Sequence, residues 1–301
     1  MNIVWLAVAL FSAICFATVY VVDEYCVDNI LQKPYMGVIT SALASISIFF
    51  AIPFTLPIVK VIHFPENADL LLCLIVGVII QINQGLYFKA LSYSTAGTIA
   101  GYWNMVPALL PILSYLFLGS VLELDQYRGI YLIVLASIGL SALDTKSTEN
   151  IFALLLMLVA VVLQVTALLL MAYIFKRVDF HSGFLSITTG MIVAGVFPLL
   201  MPSVRRSFSQ NYQKLSSSIN IFIGVEIMNL VAYGSLQKSI HLSGEPSLVA
   251  AIDGTAPGFA FIFSMLFFKN KVRNIASKHY QTLFLRLTNI CVMVLGVWMV
   301  S

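Results

Sequence analysis

The sequence predicts an all-helical integral membrane protein of ten transmembrane helices, arranged as two five-helix repeats of inverted topology. Three observations predict it. Of 301 residues 60% are hydrophobic and only 10% charged, whereas soluble domains carry about 25% charged residues. The apolar runs are about 18 to 25 residues long, enough for a helix to cross hydrocarbon and too long for barrel strands of about 10. Lastly, a proline-containing apolar segment near the end of the first half has an echo in the second.

Taken in order, the spans are expected near 3–22, 35–59, 69–91, 95–119, 126–143, 150–175, 182–202, 219–241, 246–268 and 282–300. Short polar separators such as DEYCVDNILQKP, HFPENAD, DTKSTEN and RRSFSQNYQKLSSS leave no room for a soluble domain. The first run has no basic residue before it and is longer than a signal-peptide core, so it is expected to be an uncleaved helix. The third reads IIQINQGLYFKAL and places Gln81 and Gln84 on one helical face, Asn83 and Tyr87 on another. In the fourth, GYWNMVPALLPILSYLFL, Tyr102, Trp103 and Asn104 precede Pro107 and Pro111. Each proline lacks an N–H and frees the carbonyl four residues back, so a kink is expected there. Gln164 and Thr166 mark the sixth span, and Glu226, Asn229 and Tyr233 share a face of the eighth. The ninth carries Asp253 four residues before Pro257.

The echo aligns AIDGTAPGFAFIFSMLFF, residues 251–268, with residues 101–118 without a gap, 150 positions apart. Pro107, Ile112, Ser114, Leu116 and Phe117 recur as Pro257, Ile262, Ser264, Leu266 and Phe267. Each copy is the fourth span of five and is followed by a helix with an apolar-flanked glycine, Gly139 or Gly296, which implies an insertion in the loop near 269–281. The halves are therefore 1–145 and 146–301. An odd number of spans per half makes the repeat inverted, and such repeats hold a site near the midplane that each side can reach in turn.

On these residues the chain resembles the EamA-type branch of the drug/metabolite transporter superfamily. The likeness is sharpest in YFKALSYSTAGTIAGYWNMVPALLPILSYLFLG, residues 87–119. The family's fourth span has a central proline and ends in an apolar FLG. Here the acidic residue usual straight after FLG is absent, since Ser120, Val121 and Leu122 precede Glu123. The resemblance implies a secondary transporter of small metabolites, often an exporter, in the cell (inner) membrane with both termini cytoplasmic. Charge counting points the other way: odd-numbered loops hold ten basic residues, Arg205, Arg206 and Lys271 among them, and even-numbered loops five.

An ionisable group at the centre of a span costs roughly 2.5 to 3.5 kcal/mol on insertion scales, which marks Asp253 and Glu226 as ion-coupling candidates. Each could instead be a structural carboxyl bonded within the bundle. Gln81, Gln84, Tyr87, Tyr102, Trp103, Asn104, Asn229 and Tyr233 are the candidate substrate-binding residues, against the alternative that the amides glue helices together and the aromatics form the interfacial belt. Pro107, Pro111 and Pro257 are the expected kinks. Cys15, Cys26, Cys73 and Cys291 have no CxxC spacing, so no metal site or disulfide framework is expected. No P-loop, HExxH or GxSxG occurs and no histidine lies mid-span, so neither an enzyme nor a cofactor is expected. The net charge of +3 is thinly spread and argues for no nucleic-acid partner.

The function expected is alternating-access transport of a small amphiphilic metabolite such as an amino acid or related compound, with protons as a candidate coupling ion. An ion-independent facilitator, a channel, or a membrane-embedded structural or enzymatic protein are the alternatives. No base lies near a span centre, which disfavours a phosphorylated substrate.

Overall fold

Every regular element among the described residues is helical. The computed structural model describes residues 4–31, 33–49, 65–94, 96–143, 151–267 and 280–301. In chain order the helices are α1 (Val4–Asn29), α2 (Pro34–Ser45), α3 (Asn67–Leu91), α4 (Ala96–Trp103), α5 (Met105–Leu118), α6 (Leu124–Ala142), α7 (Ile151–Ile174), α8 (Phe180–Val196), α9 (Pro202–Gln210), α10 (Tyr212–Ser217), α11 (Ile219–Ser243), α12 (Pro246–Asp253), α13 (Ala256–Phe267) and α14 (Tyr280–Val300). The far end of the expected second span, the 145/146 boundary and most of the loop at 269–281 lie outside the described residues.

Among the described residues six stretches are long and apolar enough to cross a membrane, namely Val4–Val27, Asn67–Leu91, Thr98–Leu118, Ile151–Ile174, Phe180–Leu200 and Pro246–Phe263. Pro34–Phe49 and Phe284–Val300 are shorter apolar helices. Helices α6 and α11 coincide with the expected fifth and eighth spans. Polar groups dilute them, Asp125 and Arg128 in one, Glu226 and Lys238 in the other.

Local chemistry explains the ends. Pro34, Pro202 and Pro246 sit at first-turn positions, where a missing N–H costs nothing. Asp179 caps α8 by accepting from the backbone N–H of His181 at 3.0 Å and of Ser182 at 3.1 Å. Burial alone would raise this carboxyl, but the hydrogen bonds from Ser182 and His181 win and hold it below its usual range. A reciprocal pair, Glu123 with Gln126, caps α6. Gly119 and Gly244 end α5 and α11 at φ 65° and 69°, the left-handed region that only glycine enters freely.

Two boundaries differ from the sequence reading. The first helix runs on to Asn29 rather than stopping near residue 22, because no proline or glycine interrupts it and Asp23, Cys26 and Ile30 stay buried. The expected seventh span gives up its helix at Val196, and Phe197–Leu200 form a tighter turn around Pro198.

Hydrogen bonds and close approaches fix how the helices run. Ser12 donates to the Ala232 carbonyl at 2.9 Å and Ser239 to that of Trp5 at 2.8 Å, so α1 and α11 are antiparallel. Gly129 meets Gly296 while Gly139 meets Asn289, which makes α6 and α14 antiparallel. Gly77 and Gly190 bring α3 and α8 almost backbone to backbone, and Gly195 lies beside Gln81 further along, so this pair is parallel. One apolar core joins both halves of the chain, with Ala13, Val76, Leu110, Ile130, Met171 and Val249 all in it.

Candidate functional site

The fourth and ninth predicted spans are each broken in two. The first break is at Asn104, between α4 and α5, and the second at Gly254 and Thr255, between α12 and α13. Positions 104 and 254 are 150 apart, the spacing of the sequence echo. In both helices the proline follows three residues after the break, inside the first turn of the next piece. Pro111 behaves differently. It lies within α5, which continues through it.

The freed backbone groups find partners beside each break. Asn104 donates its side-chain amide to the Ala100 carbonyl at 2.8 Å, and its backbone N–H to Gly101 at 3.2 Å. Gly254 N–H reaches the Ala250 carbonyl at 3.0 Å, while the Thr255 hydroxyl donates to Ile252 at 2.6 Å. The two breaks also touch: a Cβ on Gly254 would lie 3.2 Å from Asn104 Oδ1 and 3.4 Å from Pro107. Further out, Ser247 donates to Ser114 at 3.0 Å and Ser120 to Glu245. The broken helices therefore cross antiparallel at matched positions.

A cavity of about 420 Å³ of atom-free space, mouth included, opens at this crossing. One wall is Ala100, Trp103, Asn104, Val106 and Pro107; the facing wall is Ala250, Asp253, Gly254, Ala256 and Pro257. These are the same five positions in each helix, 150 apart. Gln164, Tyr20, Leu168 and Leu236 complete it. A second cavity of about 510 Å³, again with its mouth, shares Tyr20, Trp103, Gln164, Leu236 and Asp253, and adds Phe16, Val19, Asp23, Asn83, Gln84, Tyr87, Asn229 and Tyr233. The room in which water can be centred amounts to about one molecule in the first and about three in the second.

Of the sequence candidates, Gln84, Tyr87, Trp103, Asn104, Asn229, Tyr233, Asp253, Pro107 and Pro257 line one or both cavities. Gln81 does not; its amide donates to the Val38 carbonyl at 3.0 Å and ties α3 to α2. Tyr102 packs in a separate apolar cluster with Tyr87 and Phe88. Glu226, only 4% exposed, lines neither cavity and accepts from Ser41 at 2.9 Å and Asn229 at 3.3 Å. One oxygen of Asp253 is enclosed with no hydrogen-bond partner.

The sequence reading missed Asp23, Tyr20 and Asn83 as cavity residues. Asp23 was placed in the first loop, yet it is 6% exposed, faces the Tyr87 hydroxyl and lies near enough to Glu226 for their charges to interact. The available signal was the stripe Phe16, Tyr20, Asp23 at helical spacing, with no breaker before Pro34. Gln164, bonded by Asn83 at 2.8 Å, lines both cavities, whereas its neighbour Thr166 is exposed and bonds its own helix at Val162.

Comparison with known proteins then bears on the whole. Residues 3–142 match the EamA-like transporter family. A crystal structure described only as that of a protein superposes with a TM-score of 0.72, covering 100% of this chain and 98% of its own at 13% identity. At that identity the likeness speaks for the fold. A search of curated proteins returns no match.

Proposed function

We propose that the chain, whose residues 3–142 match the EamA-like transporter family, is a multi-pass membrane transporter of the drug/metabolite type, and from that premise we propose how it works. It is a ten-span secondary transporter built from inverted halves, 1–145 and 146–301, that moves a small amphiphilic metabolite such as an amino acid or related compound by alternating access. The observation that carries this reading is the cavity at the crossing of the broken helices, walled by five positions of one and the same five of the other. Matched walls of that kind are what a two-fold axis in the membrane plane produces, and they let either half open in turn. Helix directions support the same threading, since α6 and α14 run antiparallel and so need an even number of crossings between them.

The cavities hold too little water-sized room for a metabolite. The structure therefore corresponds to a closed state, and loading requires one half to move. A channel would need a continuous polar stripe, whereas polar residues here gather around the two cavities. With no nucleotide motif, uphill export draws on an ion gradient, and Asp253 is the proton carrier because its enclosed oxygen has no competing donor. Glu226, held by two donors, is the alternative. We place the protein in the cell (inner) membrane. Saturable flux with counterflow in proteoliposomes is the expected result; linear flux without counterflow would sink the reading.

A further inference from the structure

We infer that the joined cavity takes an organic cation, an amine-bearing amphiphile without a carboxylate, held between Asp23, Asp253 and an aromatic wall. This rests on the transport reading above and narrows its amphiphilic substrate to an amine, in place of the amino acid given there as an example.

Charge comes first. Asp23 and Asp253 line the cavities with Glu226 close behind, and among the described residues no lysine, arginine or histidine lines either one. Three described bases have contacts away from the cavity linings: Arg177 pairs with Asp69 at 3.7 Å, Arg286 donates to the Leu143 carbonyl at 2.8 Å, and Lys238 lies 4.8 Å from the Phe180 ring centre. A carboxylate entering this space would find acidic side chains and, among the described residues, no base to pair with.

The unsatisfied groups point the same way. Asn83 is 2% exposed, lines the second cavity and donates to Gln164, yet its own oxygen has no donor. The enclosed oxygen of Asp253 has none either. Both vacancies are for a donor. Two of the cavity amides donate within the protein, Asn104 to Ala100 and Asn229 to Glu226. An ammonium group is the ligand chemistry that supplies donors and positive charge together.

Aromatic rings provide the rest. Phe16 meets Tyr233 edge-on at 5.1 Å and stacks with Tyr20 at 6.2 Å, and Tyr20 meets Tyr87 at 6.0 Å. With Trp103 these rings form a continuous wall beside both aspartates. Ring faces attract cations, and they also seat the apolar body of an amphiphile.

Three probes with one phenyl body separate the possibilities: phenethylamine, phenylalanine and 3-phenylpropionate, titrated calorimetrically into the full chain in detergent. Phenethylamine should bind at least tenfold more tightly than phenylalanine, and 3-phenylpropionate not at all. Asp23→Asn and Asp253→Asn should each weaken phenethylamine at least tenfold, with monodispersity and Tm confirming that both fold. Equal binding of the zwitterion, any binding of the acid, no binding of the amine, or indifference to both variants overturns the assignment. If either variant fails to fold, the three-probe comparison on the wild type still decides. Counterflow on the same preparation keeps the two readings apart. Phenylalanine exchange without amine binding leaves the transporter standing and removes the cation site. Amine binding with only linear flux of every probe does the reverse.

Discussion

Among the described residues Glu226, Asp23 and Asp253 place carboxyls at or beside the cavities, and their partners rank them. Glu226 is held by Ser41 and Asn229, Asp23 faces Tyr87, and Asp253 has an oxygen with no partner at the crossing of two broken helices. A proton carrier must change its surroundings as the protein moves, so Asp253→Asn should abolish transport driven by a pH gradient while leaving folding and some downhill exchange intact. Proteoliposome uptake with and without the gradient measures this; a variant that still concentrates substrate as wild type does would make Asp253 structural. Asp179 gives a prediction outside the membrane. Its cap on α8 should be worth about 1 kcal/mol, lost in Asp179→Ala. The folded-state carboxyl is depressed, so this stability is present above the unfolded pKa of about 4 and disappears as pH falls through the lower folded value. The Tm gap between wild type and variant should therefore close in acid. Asp253 and Glu226 were legible from sequence because a charge in an apolar run stands out. Asp23 was not, since it follows the apolar run and is buried only because the helix continues.

At the scale of the element, glycine and proline decide where helices approach and where they break. The sequence reading expects kinks at Pro107, Pro111 and Pro257. The helix breaks fall three residues before Pro107 and Pro257, at Asn104 and at Gly254 with Thr255, where the Asn104 and Thr255 side chains bond the Ala100 and Ile252 carbonyls, while α5 runs through Pro111. Which glycines bring helices together depends on neighbours distant in sequence. A Cβ on Gly77 would lie 2.1 Å from the Ile187 carbonyl oxygen, and one on Gly190 2.3 Å from that of Leu74. Both obstacles are backbone, so Gly77→Val or Gly190→Val should separate α3 from α8 and cost at least the ~1 to 3 kcal/mol of ordinary overpacking. Gly224, in α11, has open space around it. There Gly224→Ala should gain up to about 1 kcal/mol from helix propensity. Thermal unfolding of the three variants in one detergent checks the contrast; a Gly77→Val protein as stable as wild type would contradict the close approach.

At the scale of the whole molecule, the sequence reading and the structure meet in how the chain threads the membrane. Fold class was legible because hydrocarbon tolerates few backbone solutions, whereas span number was harder to read, since α6 and α11 trade apolar residues for polar ones that face the bundle or its ends. Helix direction supplies what composition lacks. The Ser120 hydrogen bond to Glu245 brings the end of α5 and the start of α12 to one face of the bundle. Asp69 at the start of α3 meets Arg177 beyond the end of α7, which joins those two ends likewise. If ten spans alternate, Ser120, Lys176 and Glu245 share one side of the membrane, while Ser92 after α3 and Ser203 at the start of α9 share the other. Single cysteines at Ser92, Lys176 and Ser203, in a chain whose four native cysteines are replaced, should thus label in two classes with a membrane-impermeant maleimide. Family layout places Lys176 with the cytoplasmic termini, so Ser92→Cys and Ser203→Cys should label on intact cells and Lys176→Cys only after lysis. The reverse pattern would keep the ten-span threading but turn it over, as the ten basic residues of the odd loops favour. Labelling of Ser92→Cys and Lys176→Cys from the same side would break the alternation, and with it the inverted repeat from which alternating access was argued.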